Sequence, residues 1–335
     1  MVLVSDNRLE WIDWMKVLGI YLVVLGHFYS IGEKFIYVFH MPLFFIISGF
    51  LSKKENDVQL FWKKIWYNLV VPMLMIATLN FIIHCILLLI TGDFSPIEIY
   101  WFIRNIIFGM VSGFDNLWFV YTLIILKIIF QYCSSSKLFY FQSLIMLVFA
   151  YIYNNIDFSA FPFFLKEPNA IVDVCTAYPF YAIGIFVRNY KSIFIEMNNK
   201  IILVFCLFSG LLSVLFSCFY NGSVGLHRCE YGGNMFWFLM GGVSGSLMIF
   251  SVSKMLGHAT KTIAVISRGT IIILGFHKLF ISLIFEFVSA SYFDIAFAAL
   301  IIVLFIPIII AIEKYFPLMM GKYRINKKNH AIIRS

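Results

Sequence analysis

Long runs of apolar residues, separated by short polar connections, occupy most of the chain. A helix that spans a membrane needs about 20 consecutive apolar residues, and the pattern predicts ten spans. A further apolar run at 97–112 is shorter and interrupted, which favours an interfacial or re-entrant helix. The chain is therefore predicted to be an all-α, polytopic membrane helix bundle. The predicted spans cover residues 12–31, 35–52, 65–91, 116–132, 138–154, 170–188, 200–220, 234–254, 263–286 and 291–314.

The amino-acid composition agrees with a membrane protein. Of the 335 residues, 62% are hydrophobic and 13% are charged, whereas soluble domains carry about 25% charged residues. No polar segment is long enough for a soluble domain, so residues 1–335 are predicted to form one integral-membrane domain. Asp13 and Trp14 open the first span where a signal peptide would carry basic residues. This span is therefore predicted to be retained.

The net charge of +8 is distributed unevenly along the chain. With the N-terminus in the cytoplasm, 20 of the 25 basic residues fall at cytoplasmic ends of the predicted spans. Membrane proteins carry such an excess of Lys and Arg on the cytoplasmic side, so both termini are predicted to be cytoplasmic. This explains the charge without a nucleic-acid partner. The six cysteines form no CxxC pair and no metal-ligand spacing occurs, so no metal is predicted.

The first predicted span carries ionisable residues along one face. Lys16 and His27 are separated by about three helical turns, or roughly 16 Å, and Asp13 falls on the same stripe. Ionisable groups inside a membrane usually face a cavity or a partner, which favours a functional stripe. Two simpler interpretations stay open. Lys16 extends to the lipid headgroups by itself, or it forms a local ion pair with Asp13.

The second predicted span supplies another histidine. The connection at residues 31–34 is short, so the first two spans are antiparallel neighbours. His27 and His40 are then predicted to face each other at a similar depth, with Pro42 positioned to kink the second helix. Ser48 and Gly49 permit a close helix approach further along. A single histidine near a helix end is often only an interfacial side chain. The predicted placement of His27 and His40 at a similar depth is what favours a function.

Two segments resemble a known family. RLEWIDWMKVLGIYLVVLGHF (residues 8–28) and FHMPLFFIISGFL (residues 39–51) are similar to the opening of the membrane acyltransferase 3 family. Within that family, the fucose 4-O-acetylase-like and polysaccharide O-acetyltransferases are the most similar. Weaker matches occur at 116–123, 178–188 and 266–280, in an order that suits the family. The soluble hydrolase-like domain that some members carry is absent from this sequence.

The resemblance implies a chemistry. The family is thought to transfer acetyl groups from cytoplasmic acetyl-CoA to hydroxyls of a cell-surface glycan or a lipid-linked sugar. The expected location is the bacterial inner (plasma) membrane, with the lipid bilayer as surroundings and acetyl-CoA as the acyl donor. The predicted site residues are His27 and His40 for catalysis, Lys16, Asp13 and Arg8 for the donor, and Trp118, Phe119 and His277 for the acceptor.

Several alternatives stay open at this point. His27 fits a general base and equally a nucleophile that forms an acetyl-imidazole. Trp118 and Phe119 fit sugar stacking and equally anchoring at the membrane interface. Succinyl or another short acyl group is an alternative cargo. A transporter of glycan precursors or small metabolites is the alternative function, although transporters often show paired halves and none is found in this sequence.

Overall fold

The computed structural model describes residues 8–28, 32–110, 117–156, 169–285 and 293–322. Fifteen α-helices and no β-strand lie in these residues, so the predicted all-α class is confirmed. Outside them lie the predicted span ends at 29–31, 116, 286 and 291–292, together with Lys166 and the basic residues after Lys322. The helices are α1 (Glu10–Gly26), α2 (Glu33–Tyr37), α3 (His40–Leu51), α4 (Val58–Ile65), α5 (Val71–Thr91), α6 (Ile97–Phe108), α7 (Trp118–Tyr132), α8 (Ser136–Asn155), α9 (Ala170–Asn189), α10 (Lys191–Glu196), α11 (Lys200–Asn221), α12 (Met235–Leu256), α13 (Lys261–Arg268), α14 (Thr270–Phe285) and α15 (Asp294–Tyr315).

The number of spans differs from the predicted ten. In the described chain, seven helical stretches are long and apolar enough to cross a membrane, and α13 with α14 makes an eighth if they count as one bent span. The other two predicted spans correspond to α1 and α7, which have 17 and 15 residues. Both are shorter than the length of about 20 residues that a bilayer requires. The chain is thus a multi-pass helix bundle, and the count of ten is not confirmed.

Helices α3 and α9 cross with their backbones in contact. A methyl group on Gly49 would collide with the carbonyl of Tyr181, and one on Gly184 would collide with the carbonyl of Ile46. Small residues allow helices to pack this closely in membranes. The close approach that Ser48 and Gly49 predicted is therefore observed, and α9 is the partner.

We expect Gly49→Ala to destabilise the bundle by about 1–3 kcal/mol or more, because overpacking forces the backbones of α3 and α9 apart. The loss should appear as a lower midpoint of thermal unfolding in detergent. Gly233→Ala is the matched control, because a methyl group there meets only the Asn221 carbonyl at an ordinary 3.6 Å. Equal unfolding midpoints for the two variants would contradict the close crossing.

A sharp break separates α13 from α14. Their axes differ by 78°, and a side chain at Gly269 would collide with Ile309 of α15. The continuous span predicted over 263–286 is therefore wrong in shape. Irregular backbone at membrane depth occurs where it is buried in protein or lines a cavity. Here the residues around the break line a cavity next to α1.

Helix α1 lies at the centre of these contacts. It packs against α2, α3, α12, α13, α14 and α15. We call the end of the bundle where α1 ends the His27 end, and the opposite end the Lys16 end. Helices α7 and α9 begin together at the His27 end, where the Thr122 hydroxyl donates to the Ala170 carbonyl at 3.4 Å.

Candidate active site

Three aromatic rings cluster at the end of α1: those of His27, His277 and Tyr37. His27 directly follows this helix, and its ring centroid lies 5.0 Å from that of His277 on α14, with 41° between the ring planes. The ring of Tyr37 lies 6.4 Å from His27 on another side. The histidine in ring contact with His27 is therefore His277, which the sequence predicted only as an acceptor-binding residue.

The two predicted catalytic histidines, His27 and His40, share a neighbouring ring. That ring belongs to Tyr37, whose centroid lies 6.4 Å from that of His27 and 5.0 Å from that of His40. Tyr37 ends the short helix α2, which occupies the connection before α3. That the two imidazoles face each other directly stays a prediction; the short connection contributes Tyr37 to the surroundings of both.

Two of these histidines have a defined tautomer. Nδ1 of His40 lies 2.9 Å from the carbonyl of Ile36, and Nδ1 of His277 lies 3.0 and 2.9 Å from the carbonyls of Ile273 and Leu274. A carbonyl only accepts, so Nδ1 carries the proton in both rings. In a neutral imidazole, Nε2 is then the acceptor. Both residues are buried, and each presents a proton-accepting nitrogen away from its own helix.

A cavity of about 440 Å³ extends along α1 from the Lys16 end. Lys16 and Phe44 line it beside Phe119, Lys127 and Arg268. A second cavity of about 510 Å³ shares Lys16 and Lys127 and continues towards the connection between α3 and α4. Lys16 and Lys127 therefore stand where the two cavities adjoin. The prediction that Lys16 faces a cavity rather than lipid fits this position.

Asp13 does not pair with Lys16. Its carboxylate accepts from Arg8 Nε at 2.5 Å and from the Ser267 hydroxyl at 2.5 Å, and Arg8 also reaches the Ala264 carbonyl at 3.4 Å. In place of a local ion pair between Asp13 and Lys16, one of the interpretations left open by the sequence, these bonds join the start of α1 to α13. Asp13 and Arg8 compensate each other's charge, whereas both were predicted to bind the donor.

The remaining cations around the cavity fall into two groups. Arg268 and Lys322 both bind the carboxylate of Glu313, the former at 3.2 Å. Lys16 and Lys127 form no ion pair with any residue that the structure describes. Lys127 Nζ instead donates to the hydroxyl of Ser52 at 2.9 Å. Two ammonium groups at the cavity thus lack a carboxylate partner in this part of the chain.

Lys127 is a residue that the sequence argument missed. It was counted only as a basic residue that fits the cytoplasmic side. A signal for it exists, since it interrupts the apolar helix α7, whose sequence is WFVYTLIILKIIFQY. Ionisable residues inside such helices mark functional sites by default.

The two predicted sugar-stacking residues have different surroundings. Phe119 lines the 440 Å³ cavity and packs on Phe45 with ring centroids 4.7 Å apart. Trp118 is 8% exposed, and its ring stacks on His227 at 4.8 Å and 25°. A sugar cannot occupy the face of Trp118 that His227 covers. The stacking role predicted for Trp118 therefore does not fit that face.

Together these features define a class of protein. It is a multi-pass membrane protein in which one central helix joins a cavity to a cluster of histidines, and two lysines of that cavity form no ion pair among the described residues. The family model for an acyltransferase domain matches residues 9–314. The chain therefore belongs to the acyltransferase 3 family and is a membrane acyltransferase. No curated protein and no solved structure matches the chain.

Proposed function

We propose that this acyltransferase moves an acetyl group from acetyl-CoA to a hydroxyl of a cell-surface glycan or its lipid-linked precursor. The observation that carries the proposal is the arrangement along α1. Lys16 and Lys127 face a cavity without carboxylate partners among the described residues, and the His27–His277 pair lies at the other end of the same helix. Acetyl-CoA has a matching arrangement, because its phosphates lie at one end, opposite the lysines, and its thioester lies at the other end, towards the histidines.

The two lysines fit the phosphates of the donor. Both ammonium groups are partly shielded from water and form no ion pair among the described residues, and a bound phosphate would supply a negative partner. The start of α14 also borders the cavity, and a helix N-terminus favours anions. About 16 Å separates Lys16 from His27 along the helix, a span that the flexible arm of the donor can cover.

The histidines fit the acyl-transfer step. The glycan hydroxyl oxygen attacks the thioester carbon, and its proton moves to His27. The tetrahedral intermediate then collapses: the carbon–sulfur bond breaks, and the CoA thiolate takes the proton from His27. His277 and His40, each with Nδ1–H bound to a carbonyl, orient the groups around this centre through Nε2. A covalent acetyl-imidazole on His27, later attacked by the hydroxyl, has the same overall balance.

The proposal includes an orientation. Acetyl-CoA is made in the cytoplasm, so the Lys16 end faces the cytoplasm and the His27 end faces the outside of a bacterial plasma membrane. The excess of basic residues on the Lys16 side agrees with this direction. Both termini are then cytoplasmic. The acceptor reaches the histidines from the opposite end to the donor.

Mass spectrometry of surface glycans tests this function directly. Cells with the intact gene should carry glycan residues heavier by the mass of one acetyl group, and deletion of the gene should remove that mass. Restoring the wild-type gene is the control and should restore the acetyl group. Glycans that are identical with and without the gene would contradict the proposed acceptor, and loss of a succinyl mass would contradict the proposed acyl group.

A further inference from the structure

A second histidine site lies in the connection between α11 and α12. His227 stands on the short 3₁₀ turn Leu226–Arg228. Its Nδ1 lies 2.7 Å from Oδ2 of Asp173, a fully buried residue in the first turn of α9. One face of the imidazole stacks on Trp118 at the start of α7. His227 is thus fixed both at one ring nitrogen and on one ring face.

The connection itself is tied to the helices beneath it. Gly225 and Glu230 exchange two backbone hydrogen bonds of 2.9 and 3.0 Å, which closes the turn. The Thr176 hydroxyl donates to the Leu226 carbonyl at 3.2 Å, and the Asn154 amide donates to the Cys229 carbonyl at 2.5 Å. Helices α8 and α9 therefore hold the turn that carries His227.

Stability does not account for this pair. A buried carboxylate loses its hydration, and a neutral imidazole does not compensate the charge, so burying this group costs free energy. Oδ1 of Asp173 also has no hydrogen-bond partner among the described residues, which adds to the cost of burying it. An asparagine would accept the same bond from His227 without the charge. The presence of a carboxylate at this position therefore indicates that the His227 imidazole has a function besides stabilising the turn.

The chemistry of the pair suggests that task. Nδ1–H of His227 donates to the carboxylate, which holds the ring in one tautomer with Nε2 as the acceptor, as in other aspartate–histidine pairs. The side chain of His227 is 21% exposed, whereas that of Asp173 is fully buried. The imidazole is thus the part of the buried pair that reaches the surface at the His27 end.

The pair is also adjacent to the wall of the donor cavity. Trp118, which stacks on His227, is followed by Phe119, which lines the 440 Å³ cavity. Phe45 packs on both rings, at 6.5 and 4.7 Å. Two consecutive residues of α7, Trp118 and Phe119, therefore contact His227 and the proposed donor cavity respectively.

We propose that Asp173, His227 and Trp118 form an acceptor-binding site, in which a sugar hydroxyl donates a hydrogen bond to Nε2 of His227. Asp173 and Trp118 are positioning residues that fix the ring. The inference rests on the proposed function, since it assumes a hydroxyl-rich acceptor that arrives at the His27 end. It places the acceptor on the described connection after α11, with the reacting hydroxyl directed towards His27.

The test uses purified full-length protein, acetyl-CoA and surface polysaccharide from the source cells, freed of O-acetyl groups by mild base. His227→Gln should raise the polysaccharide KM about tenfold, the effect of losing one substrate hydrogen bond, with a smaller change in kcat. Asp173→Asn should raise the same KM, because the ring loses its charged partner. Affinity for acetyl-CoA, measured by calorimetry, should stay unchanged in both.

His258→Gln is the matched control, since His258 is an exposed histidine paired with Glu10 near the Lys16 end, and its kinetics should equal those of the wild type. An unchanged polysaccharide KM in His227→Gln and Asp173→Asn would overturn the acceptor site alone. A joint loss of thermal stability and acetyl-CoA binding would also overturn it, because the pair would then only hold the fold. Failure of the wild type to acetylate the polysaccharide would instead contradict the proposed function, and this site with it.

Discussion

Replacing His27 with glutamine should lower the rate of acetyl transfer by about 10²–10⁴-fold, the usual contribution of a general base. Glutamine is polar and of similar reach, but it has no nitrogen that takes up a proton. Acetyl-CoA binding should change little, because the proposed phosphate contacts lie at the other end of α1. Transfer of radiolabelled acetyl and calorimetric binding of acetyl-CoA, on the same detergent-purified variant, measure the two effects.

His84→Gln is the matched control for this substitution. His84 lies on α5 with Nε2 3.6 Å from the carboxylate of Glu98, so its loss should leave the transfer rate near the wild-type value. Activity of His27→Gln above about a tenth of the wild-type rate would contradict the general-base role, because that loss is far below the usual range. Loss of folding and donor binding together in His27→Ala would make His27 a packing residue.

The stripe on α1 was predictable because it depends on a local regularity. A helix turns by about 100° per residue, so Lys16 and His27 had to share a face wherever α1 packed. The structure places Lys16 on the wall of the 440 Å³ cavity and His27 against His277 of α14. Helical periodicity gives the direction of a side chain, but it says nothing about which residue stands opposite.

The partners on the opposite side come from distant parts of the chain. Asp13 binds Ser267 across 254 positions, and His27 contacts His277 on the second half of a broken helix. The apolar run at 263–286 reads as one span, because glycine is common in membrane helices and Gly269 alone gives no sign of a break. The collision of any side chain there with Ile309 is visible only in the folded bundle.

The His227 site shows a further limit of the sequence. Connections between spans vary in length and shape, and LHRC at 226–229 contains no recognised motif. Its histidine becomes notable only because α9 presents Asp173 and α7 presents Trp118 to it. The sequence predicted that the ring of Trp118 binds the acceptor sugar. In the structure, the ring that stacks on it is His227.

Neutralising Lys16 and Lys127, which form no ion pair among the described residues, should weaken donor binding strongly. Lys16→Met and Lys127→Met keep the length of the side chain and remove the charge. Each should lower the affinity for acetyl-CoA by about 10–100-fold, the value of a hydrogen bond to a charged group. Acetyl-pantetheine, which lacks the nucleotide and its phosphates, should bind the variants and the wild type equally. Calorimetry with both ligands therefore separates phosphate recognition from recognition of the arm.

Thermal stability distinguishes this role from a structural one. Lys127 is a half-buried cation at the cavity with only the Ser52 hydroxyl as its partner among the described residues, and a charge partly removed from water without a nearby opposite charge destabilises the fold. Lys127→Met without ligand should therefore unfold at the wild-type temperature or above it, although it binds acetyl-CoA poorly. Lys137→Met is the control, because Lys137 is exposed at the start of α8. If Lys16→Met and Lys127→Met both prefer acetyl-CoA over acetyl-pantetheine as strongly as the wild type does, the two lysines do not bind the donor phosphates. The proposed direction of the donor along α1, from Lys16 to His27, would then also be contradicted.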